Sequence, residues 1–117
     1  MVEQIKAKII EIISFSKSAI AIRFTTEKEL NFLPGQFLMF EFKINNKIEK
    51  RAFSLSSIPT DKYYEITVKK TKTPFVSEYL IDHIEEGDEF IVSESRGKFI
   101  LNTQTNNILF LAAGSGI

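Results

Sequence analysis

The chain has 117 residues, of which 44% are hydrophobic and 26% are charged. This length leaves room for one domain with one modest core, and the composition is that of a globular protein rather than of a disordered, collagen-like or coiled-coil chain. Fifteen basic residues balance fifteen acidic ones, which argues against the cationic surface that nucleic-acid binders and anionic-membrane binders use.

The sequence contains no cysteine and a single histidine, His83. This excludes disulfides, thiolate nucleophiles, cysteine-ligated metal centres and multi-histidine metal sites within the chain, so a redox centre must be a bound cofactor. The sequence shows neither a secretory signal nor an apolar run long enough to span a bilayer, and a cytoplasmic location is therefore the default expectation.

Most of the chain shows the two-residue hydrophobic alternation of half-buried strands. The alternation in the first segment changes phase between Ile9 and Ile10, which predicts a β-bulge there. Turn residues separate the segments at 16–18, 34–35, 45–46 and 97. Further strands are predicted over residues 19–25, 37–43, 48–55, 64–69, 89–93 and 99–101.

Residues 74–84 are the exception, because their apolar positions recur at helical spacing. Thr73 and Pro74 suit the N-cap and the first turn of this helix. Many short strands around one helix predict an all-β fold, namely a closed or nearly closed antiparallel barrel with the helix covering one open end.

The last segment differs in kind from the others. Residues 107–113 contain the continuous apolar run ILFLAA, which is typical of a strand buried on both faces of a parallel sheet. Gly114, Ser115 and Gly116 follow as a glycine-rich turn of the phosphate-binding type. We therefore expect residues 1–104 to form the barrel domain and residues 105–117 to begin a missing nucleotide-binding domain. The alternative is a last barrel strand with a glycine tail.

The segment RAFSLSS at residues 51–57 carries residue types that suit a flavin dinucleotide. An arginine fork can neutralise a pyrophosphate, an aromatic ring can stack on an isoalloxazine, and a small hydroxyl can reach the ring nitrogen that accepts hydride. On a regular strand Arg51, Phe53 and Leu55 share one face. Ala52 and Ser54 share the other face unless the strand twists or bulges.

Each of these residues alone also has a simpler explanation. Arg51 suits a surface arginine paired with Glu49 or Glu41. Phe53 suits the core, where strand aromatics usually lie. Residues 69–72, KKTK, suit a solvated face or a cationic surface for an acidic electron-transfer protein. The functional interpretation depends on the residues occurring together.

The order and spacing of several motifs resemble the ferredoxin–NADP reductase family. RAFSLSS is similar to the family's Arg-x-Tyr-Ser-x-Ser/Ala signature, and LAAGSGI at residues 111–117 looks like the start of its nucleotide domain. The other similar motifs are LPGQF at 33–37, the strand at 64–70, the Ser-x-x-Leu of Ser77 and Leu80, Gly87 with Asp88, and GKF at 97–99.

The resemblance implies a six-stranded Greek-key barrel of the riboflavin-synthase type that binds FAD. It implies that Arg51 holds the pyrophosphate, that Phe53 stacks on the flavin, and that Ser54 bonds near flavin N5 as the catalytic residue. The remaining implied contacts are the backbone of Leu55 and Ser56, Val68 and Lys69 beside the ribityl or adenosine portion, and a phosphate cradle of Phe75, Val76 and Ser77.

Three positions depart from the family pattern. Phe53 stands where tyrosine is usual, so stacking survives without the phenolic hydrogen bond. Thr73 and Pro74 stand where glycine is frequent, which removes one amide donor from the phosphate cradle. Ser95 replaces a proline, and we interpret this change as local.

The implied function is that of the FAD-binding domain of an NAD(P)H-dependent flavin oxidoreductase. Electrons would pass from a nicotinamide, bound through the domain that Gly114, Ser115 and Gly116 begin, to an acceptor such as an iron–sulfur or haem protein. The alternative is a non-catalytic β-barrel binding or docking module without flavin. An oligonucleotide-binding barrel is disfavoured by the zero net charge.

Overall fold

The computed structural model of the protein describes residues 4–71, 75–93, 97–101, 104 and 106–113. The described residues form strands and one short helix, which confirms the predicted all-β class. The elements are β1 (Gln4–Ser16), β2 (Ala19–Thr26), β3 (Phe37–Ile44), β4 (Lys47–Ser54), β5 (Tyr64–Lys69), α1 (Val76–Asp82) and β6 (Glu89–Ser93).

The six strands pair in one antiparallel sheet with the order β4-β3-β6-β1-β2-β5. The last strand, β6, inserts between β3 and β1, which is a Greek-key connection. An isolated bridge between Leu55 and Ile66 joins the chain after β4 to β5, the opposite edge of the sheet. The sheet is therefore curled into a half-barrel whose two edge strands meet at one end.

Two local features that the sequence predicts are present. The pairing of β1 with β2 shifts register between Ile9 and Glu11, so the predicted bulge is confirmed. The β3–β4 turn places Asn45 at φ 51° and Asn46 at φ 64°, the left-handed geometry of a tight hairpin.

The turn at Gly35 is fixed by a close approach of the chain. A Cβ atom at Gly35 would lie 1.7 Å from the carbonyl oxygen of Phe99, and the residue has φ 101°. Gln36 also donates a hydrogen bond from Nε2 to the carbonyl oxygen of Gly97 at 3.3 Å. Two of the motifs that are distant in sequence, LPGQF and GKF, thus lie against each other.

The core is an aromatic cluster inside the curled sheet. The ring of Phe24 lies 5.7 Å from Phe40 and 5.1 Å from Phe90, both in edge-on contacts. Val76 and Leu80 of α1 are buried with these residues, so the helix covers one end of the half-barrel, as predicted.

Three boundaries differ from the sequence prediction. The helix begins at Val76 with Phe75 as its N-cap and ends at Asp82, so it is shorter than residues 74–84. Thr73, Pro74 and Ser95 lie outside the described residues. The predicted strand at 99–101 is wrong: these residues form no strand, because their packing comes from the backbone contact with Gly35 rather than from a sheet edge.

The apolar segment at 107–113 forms neither strand nor helix, and its side chains are exposed. A strand of the predicted kind needs covered faces on both sides, and the described residues supply none here. The second domain therefore stays a prediction, and Gly114, Ser115 and Gly116 lie outside the described residues. Within the described part of the chain, no helix has the length and apolar character needed to cross a bilayer.

Candidate functional site

Strand β4 forms an edge whose inner face is partly open. Its register with β3 sets Arg51 opposite Phe40 and Phe53 opposite Leu38, and Phe40 and Leu38 are fully buried. Directly opposite residues share a face of the sheet, so Arg51 and Phe53 point to the inside of the half-barrel. Leu55 continues this face and packs against the core.

Backbone groups line the facing edges of β4 and β5. Lys70 donates its amide to the carbonyl of Ser18, on the β2 side, whereas the carbonyl of Glu65 accepts from the amide of Ser56, on the β4 side. Alternate residues of a strand direct their backbone groups to opposite edges. The amide and carbonyl groups of Thr67 and Lys69 therefore face β4.

The same alternation applies to β4. The carbonyl of Lys50 accepts a hydrogen bond from Nη1 of Arg51 at 2.7 Å, so it lies on the edge that faces away from β3. By the two-residue period, the backbone groups of Ala52 and Ser54 lie on that edge too. We call the gap between this edge and that of Thr67 and Lys69 the β4–β5 fork. It is closed at one end by the Leu55–Ile66 bridge.

Arg51 is half exposed, with 46% of its side chain accessible, at the open part of the β4–β5 fork. Its Nη1 atom donates to Lys50 and lies 3.7 Å from Oε2 of Glu49. The pairing with Glu49 that the sequence offered as an alternative is therefore present, whereas Glu41 pairs with Lys50. Among the described residues, Nε and Nη2 of Arg51 have no partner, so two donors remain for a ligand.

Phe53 is half-buried and contacts Phe40 edge-to-face, with ring centroids 5.5 Å apart at an interplanar angle of 77°. The contact holds the ring at the rim of the aromatic core while part of its surface stays accessible. Arg51 and Phe53 are two residues apart, about 6–7 Å along a strand. The guanidinium of Arg51 and the aromatic surface of Phe53 thus lie side by side at the β4–β5 fork.

Ser54 is exposed and pairs with Phe37, so its side chain lies on the face opposite to Phe53 and Leu55. Its backbone groups, but not its hydroxyl, belong to the inner edge of the fork. The structure therefore does not bring the Ser54 hydroxyl together with the Phe53 ring on one face. Its catalytic role stays a prediction.

On β5 the backbone of Val68, which the sequence predicts as a flavin contact, does not face the β4–β5 fork, whereas the backbones of its neighbours Thr67 and Lys69 do. Val68 is fully buried, and its backbone pairs with Ile20 of β2. Lys69 is exposed and, with Thr67, offers backbone groups to the β4–β5 fork. Sequence reasoning missed Thr67, because the hydrophobic pattern identifies the buried residue of a strand but not which edge is free.

The start of α1 lies near β5. The first intrahelical hydrogen bond runs from the amide of Tyr79 to the carbonyl of Phe75 at 3.2 Å, so the amides of Val76 and Ser77 have no intrahelical acceptor. Ser77 is buried, and its hydroxyl accepts the amide of Thr71 at 3.4 Å. Phe75 is half exposed beside these groups.

A side-chain network, the junction cluster of Glu11, Arg23, Ser56, Glu65 and Thr67, lies where β4 meets β5. Glu65 accepts hydrogen bonds from Oγ of Ser56 at 2.8 Å and from Nε of Arg23 at 2.9 Å. The bond to Glu65 raises the pKa of Arg23, and partial desolvation opposes that shift. The sequence pattern marks Glu65 only as one of the polar residues on the outer face of its strand. Nothing in the sequence indicates that it bonds Ser56.

Hollows between described residues lie away from the β4–β5 fork, as two of them illustrate. One, of about 510 Å³, separates the β3–β4 turn from α1 and includes Asn45, Phe75 and Tyr79. The other, of about 230 Å³, lies beside Ile48 and Ile91 and is mostly apolar. Neither is lined by Arg51 or Phe53. The predicted ligand surface is an open cleft at a sheet edge, which does not require an enclosed cavity.

Comparison with known proteins identifies the family. Residues 6–101 match the family model described as an oxidoreductase FAD-binding domain. The flavohemoprotein of Bacillus anthracis is 40% identical over 98 residues, which cover 77% of this chain and 24% of that protein. The glycine betaine monooxygenase reductase subunit of Pseudomonas aeruginosa strain UCBPP-PA14 is 35% identical over 88 residues, covering 74% of this chain and 24% of that protein. The chain thus spans about a quarter of each.

Solved structures share the fold at lower identity. The flavohem-like FAD/NAD-binding domain of the nitric oxide dioxygenase from Vibrio cholerae superposes with a TM-score of 0.75 at 23% identity, covering 84% of this chain and 46% of that one. A ferredoxin–NADP+ reductase from Neisseria gonorrhoeae, solved with bound FAD and NADP, gives a TM-score of 0.72 at 18% identity over 81% of this chain and 39% of that one. The chain belongs to the oxidoreductase FAD-binding domain family, and it shares its fold with a ferredoxin–NADP+ reductase, whose family its motifs resemble.

Proposed function

We propose that this chain binds FAD at the β4–β5 fork and acts as the flavin domain of an NAD(P)H-dependent oxidoreductase. The observation that carries the proposal is the inner face of β4. There a half-exposed arginine, with two nitrogens that have no partner among the described residues, stands two residues from an accessible aromatic ring. Arginine forks bind phosphate groups bidentately, and aromatic rings stack on planar heterocycles.

The chemistry of the fork fits the parts of FAD. Arg51 would bind the pyrophosphate, and Phe53 would stack on the isoalloxazine. The free backbone groups of Thr67 and Lys69 would bond the ribityl hydroxyls, which takes over the role predicted for Val68. Backbone groups of Ser54 and Leu55 would meet the polar edge of the flavin ring. The amides of Val76 and Ser77, which have no intrahelical acceptor, support the predicted phosphate cradle in a secondary way.

Bound FAD supplies hydride acceptance from a nicotinamide and onward transfer of electrons, singly or as a pair. The chain's own residues bind and orient it. Phe53 and the core behind it would exclude water from one side of the isoalloxazine ring, and Arg51 would balance the charge of the pyrophosphate. The hydroxyl of Ser54 would hydrogen-bond flavin N5 once the end of β4 twists, because on a regular strand this hydroxyl lies on the face opposite to Phe53.

The rest of the oxidoreductase belongs to the same proposal. Residues 105–117 would open the NAD(P)-binding domain, and a cytoplasmic location remains the expectation from the sequence. The names of the relatives, flavohemoprotein and monooxygenase reductase subunit, support a haem or an oxygenase component as the electron acceptor.

A titration of the 117-residue chain tests the binding step. FAD should bind one to one with quenching of its fluorescence and a structured visible spectrum, and riboflavin should bind at least tenfold more weakly because it lacks phosphates. A colourless protein that leaves FAD fluorescence unchanged would favour the alternative, a barrel that docks partners without flavin. Equal affinity for FAD and riboflavin would reject the phosphate role of the fork.

A further inference from the structure

The junction cluster ties the exit of β4 to β5 through one carboxylate. The two oxygens of Glu65 have different partners, since Oε1 accepts from Ser56 at 2.8 Å and Oε2 accepts from Arg23 at 2.9 Å. Its backbone takes part as well, because its carbonyl accepts the amide of Ser56 at 2.7 Å and its amide donates to the hydroxyl of buried Ser57 at 3.0 Å. Three of these four bonds fix Glu65 against the segment that follows β4, and the fourth ties it to Arg23 of β2.

The hydroxyl of Ser56 is oriented by this network. Thr67 donates from Oγ1 to Oγ of Ser56 at 3.1 Å, so Ser56 accepts from Thr67 and donates to Glu65. The bond between Ser56 and Thr67 joins the two sides of the β4–β5 fork, because Ser56 follows β4 and Thr67 belongs to β5, where its backbone faces the fork. A displacement of Ser56 would therefore move both rims of the fork at its closed end.

Arg23 in turn holds the carboxylate in place. Its Nη1 bonds Oε1 of Glu11 at 2.8 Å, and its guanidinium carbon lies 4.3 Å from the ring centroid of Tyr63. Only 16% of the Glu65 side chain is exposed, so its bonds to Arg23 and Ser56 are shielded from competing water. Charge-assisted hydrogen bonds of this kind are about twice as strong as neutral ones.

We propose that Glu65 is a positioning residue for the flavin: it sets where β4 departs from β5 and so places Phe53 and Ser54 against the isoalloxazine. The inference rests on the proposed function. Ser56 follows Ser54 by two residues and Phe53 by three, so the clamp on Ser56 reaches the flavin-binding positions through a very short stretch of chain. Glu65 itself faces away from the core, and among the described residues its hydrogen bonds go to Arg23, Ser56 and Ser57.

Glu65→Ala tests the proposal, with Glu65→Gln as the conservative variant and Glu11→Ala as the matched control. Glu11 bonds the same arginine, whereas the Ser56 hydroxyl bonds Glu65 and Thr67 among the described residues. The alanine variant should bind FAD about tenfold more weakly, because it loses the carboxylate that fixes Ser56 and so positions Phe53 and Ser54. Riboflavin affinity should fall by the same factor, because the isoalloxazine end is disturbed. The visible circular dichroism of the bound flavin should change even at saturating FAD.

Glu65→Gln keeps acceptor and donor atoms for Ser56 and should retain the wild-type flavin spectrum, with affinity reduced by about threefold or less. Glu11→Ala should match wild type in affinity and spectrum. A purely structural role would lower the unfolding midpoint of Glu65→Ala without altering the spectrum of saturated flavin, and that result would overturn the proposal.

Ser56→Ala provides a second test should Glu65→Ala not fold, since it removes one hydroxyl and leaves the Arg23–Glu65 pair intact. It should reproduce the spectral change in weaker form, and a wild-type spectrum with wild-type affinity would reject the clamp. Failure of the proposed function gives a different pattern, because the unaltered chain itself would then leave FAD unbound.

Discussion

Strands β2 and β4 have the same length, eight residues, but opposite environments. β2 pairs with β1 on one side and β5 on the other, and Ile20, Ile22 and Phe24 are buried along it. Among the described strands β4 pairs with β3 alone, and none of its residues is fully buried. β5, the other edge strand, also has one neighbour, but Ile66 and Val68 are buried in it. β4 therefore differs from β2 and β5 in keeping both backbone groups and inner side chains available for a ligand.

Because of this difference, we expect β2 to determine the stability of the fold and β4 to determine the affinity for FAD. Substitutions in β2 should unfold the protein and affect FAD only through folding. Substitutions on the inner face of β4 should weaken FAD with a small effect on unfolding.

The largest effect is expected at Phe24, which is fully buried between the rings of Phe40 and Phe90. Phe24→Ala leaves a cavity in the aromatic cluster and should lower the free energy of unfolding by about 3–5 kcal/mol. Urea denaturation followed by circular dichroism measures this value. Phe15→Ala, at a ring that is 62% exposed, is the matched control and should change it by less than about 0.5 kcal/mol. Similar values for the two variants would contradict the assignment of the core.

Arg51→Ala should weaken FAD about ten- to a hundredfold, because it removes charge-assisted bonds worth about 1.5–3 kcal/mol. The free energy of unfolding should stay within about 0.5 kcal/mol of wild type, since the side chain is half exposed. Isothermal titration with FAD and with riboflavin measures the binding effect, and riboflavin affinity should be nearly unchanged.

Lys50→Ala is the matched control for Arg51→Ala, since it removes a cation from the adjacent position on the outer face of β4. It should leave FAD affinity within about twofold, given the small energies of exposed ion pairs. Equal losses of FAD and riboflavin in Arg51→Ala, or equal losses of FAD in the two variants, would refute the pyrophosphate role of Arg51.

Phe53→Ala should weaken FAD and riboflavin by a similar factor, up to about tenfold, because stacking contributes about 0.5–1.5 kcal/mol beyond the area buried. Phe53→Tyr restores the residue usual in the family and should bind both flavins at least as tightly as wild type. Absorbance titrations of the two variants make the comparison. A FAD-selective loss in Phe53→Ala would place the ring beside the phosphates rather than the isoalloxazine.

The sequence was sufficient for features that depend on local pattern. Two-residue alternation located β2, β3 and β5 to within a residue, and the phase change at Ile9 and Ile10 located the bulge. The motif RAFSLSS identified the candidate flavin-binding strand, because an arginine, an aromatic ring and a small hydroxyl at neighbouring positions suit a flavin dinucleotide.

Features that depend on tertiary pairing were beyond the sequence. The pattern at 64–69 marks Val68 as buried, but only the pairing with β2 shows that Thr67 and Lys69 face the β4–β5 fork. The segment 99–101, predicted as a strand, instead lies with its backbone against Gly35, and only the tertiary structure shows this contact. The link between Glu65 and Ser56 likewise exists only because β4 and β5 meet at their ends.

The smallest effect is expected at Asn46, in the turn that begins β4. The residue has φ 64°, which asparagine tolerates better than other residues with a Cβ. Asn46→Ala should lower the free energy of unfolding by less than about 1 kcal/mol, and Asn46→Gly should leave it unchanged or raise it slightly. Thermal and urea unfolding of the two variants measure the difference.

FAD titrations of these turn variants then test whether β4 holds its own register. Eight residue pairs join β3 to β4, with Phe40 opposite Arg51 among them. A slip by one residue would turn Arg51 and Phe53 to the outer face. If FAD affinity stays at the wild-type value in Asn46→Ala, the strand pairs alone maintain the site, and binding is separable from the turn. A loss of affinity larger than the loss of stability would instead show that the Asn45–Asn46 turn fixes the register on which the flavin-binding face depends.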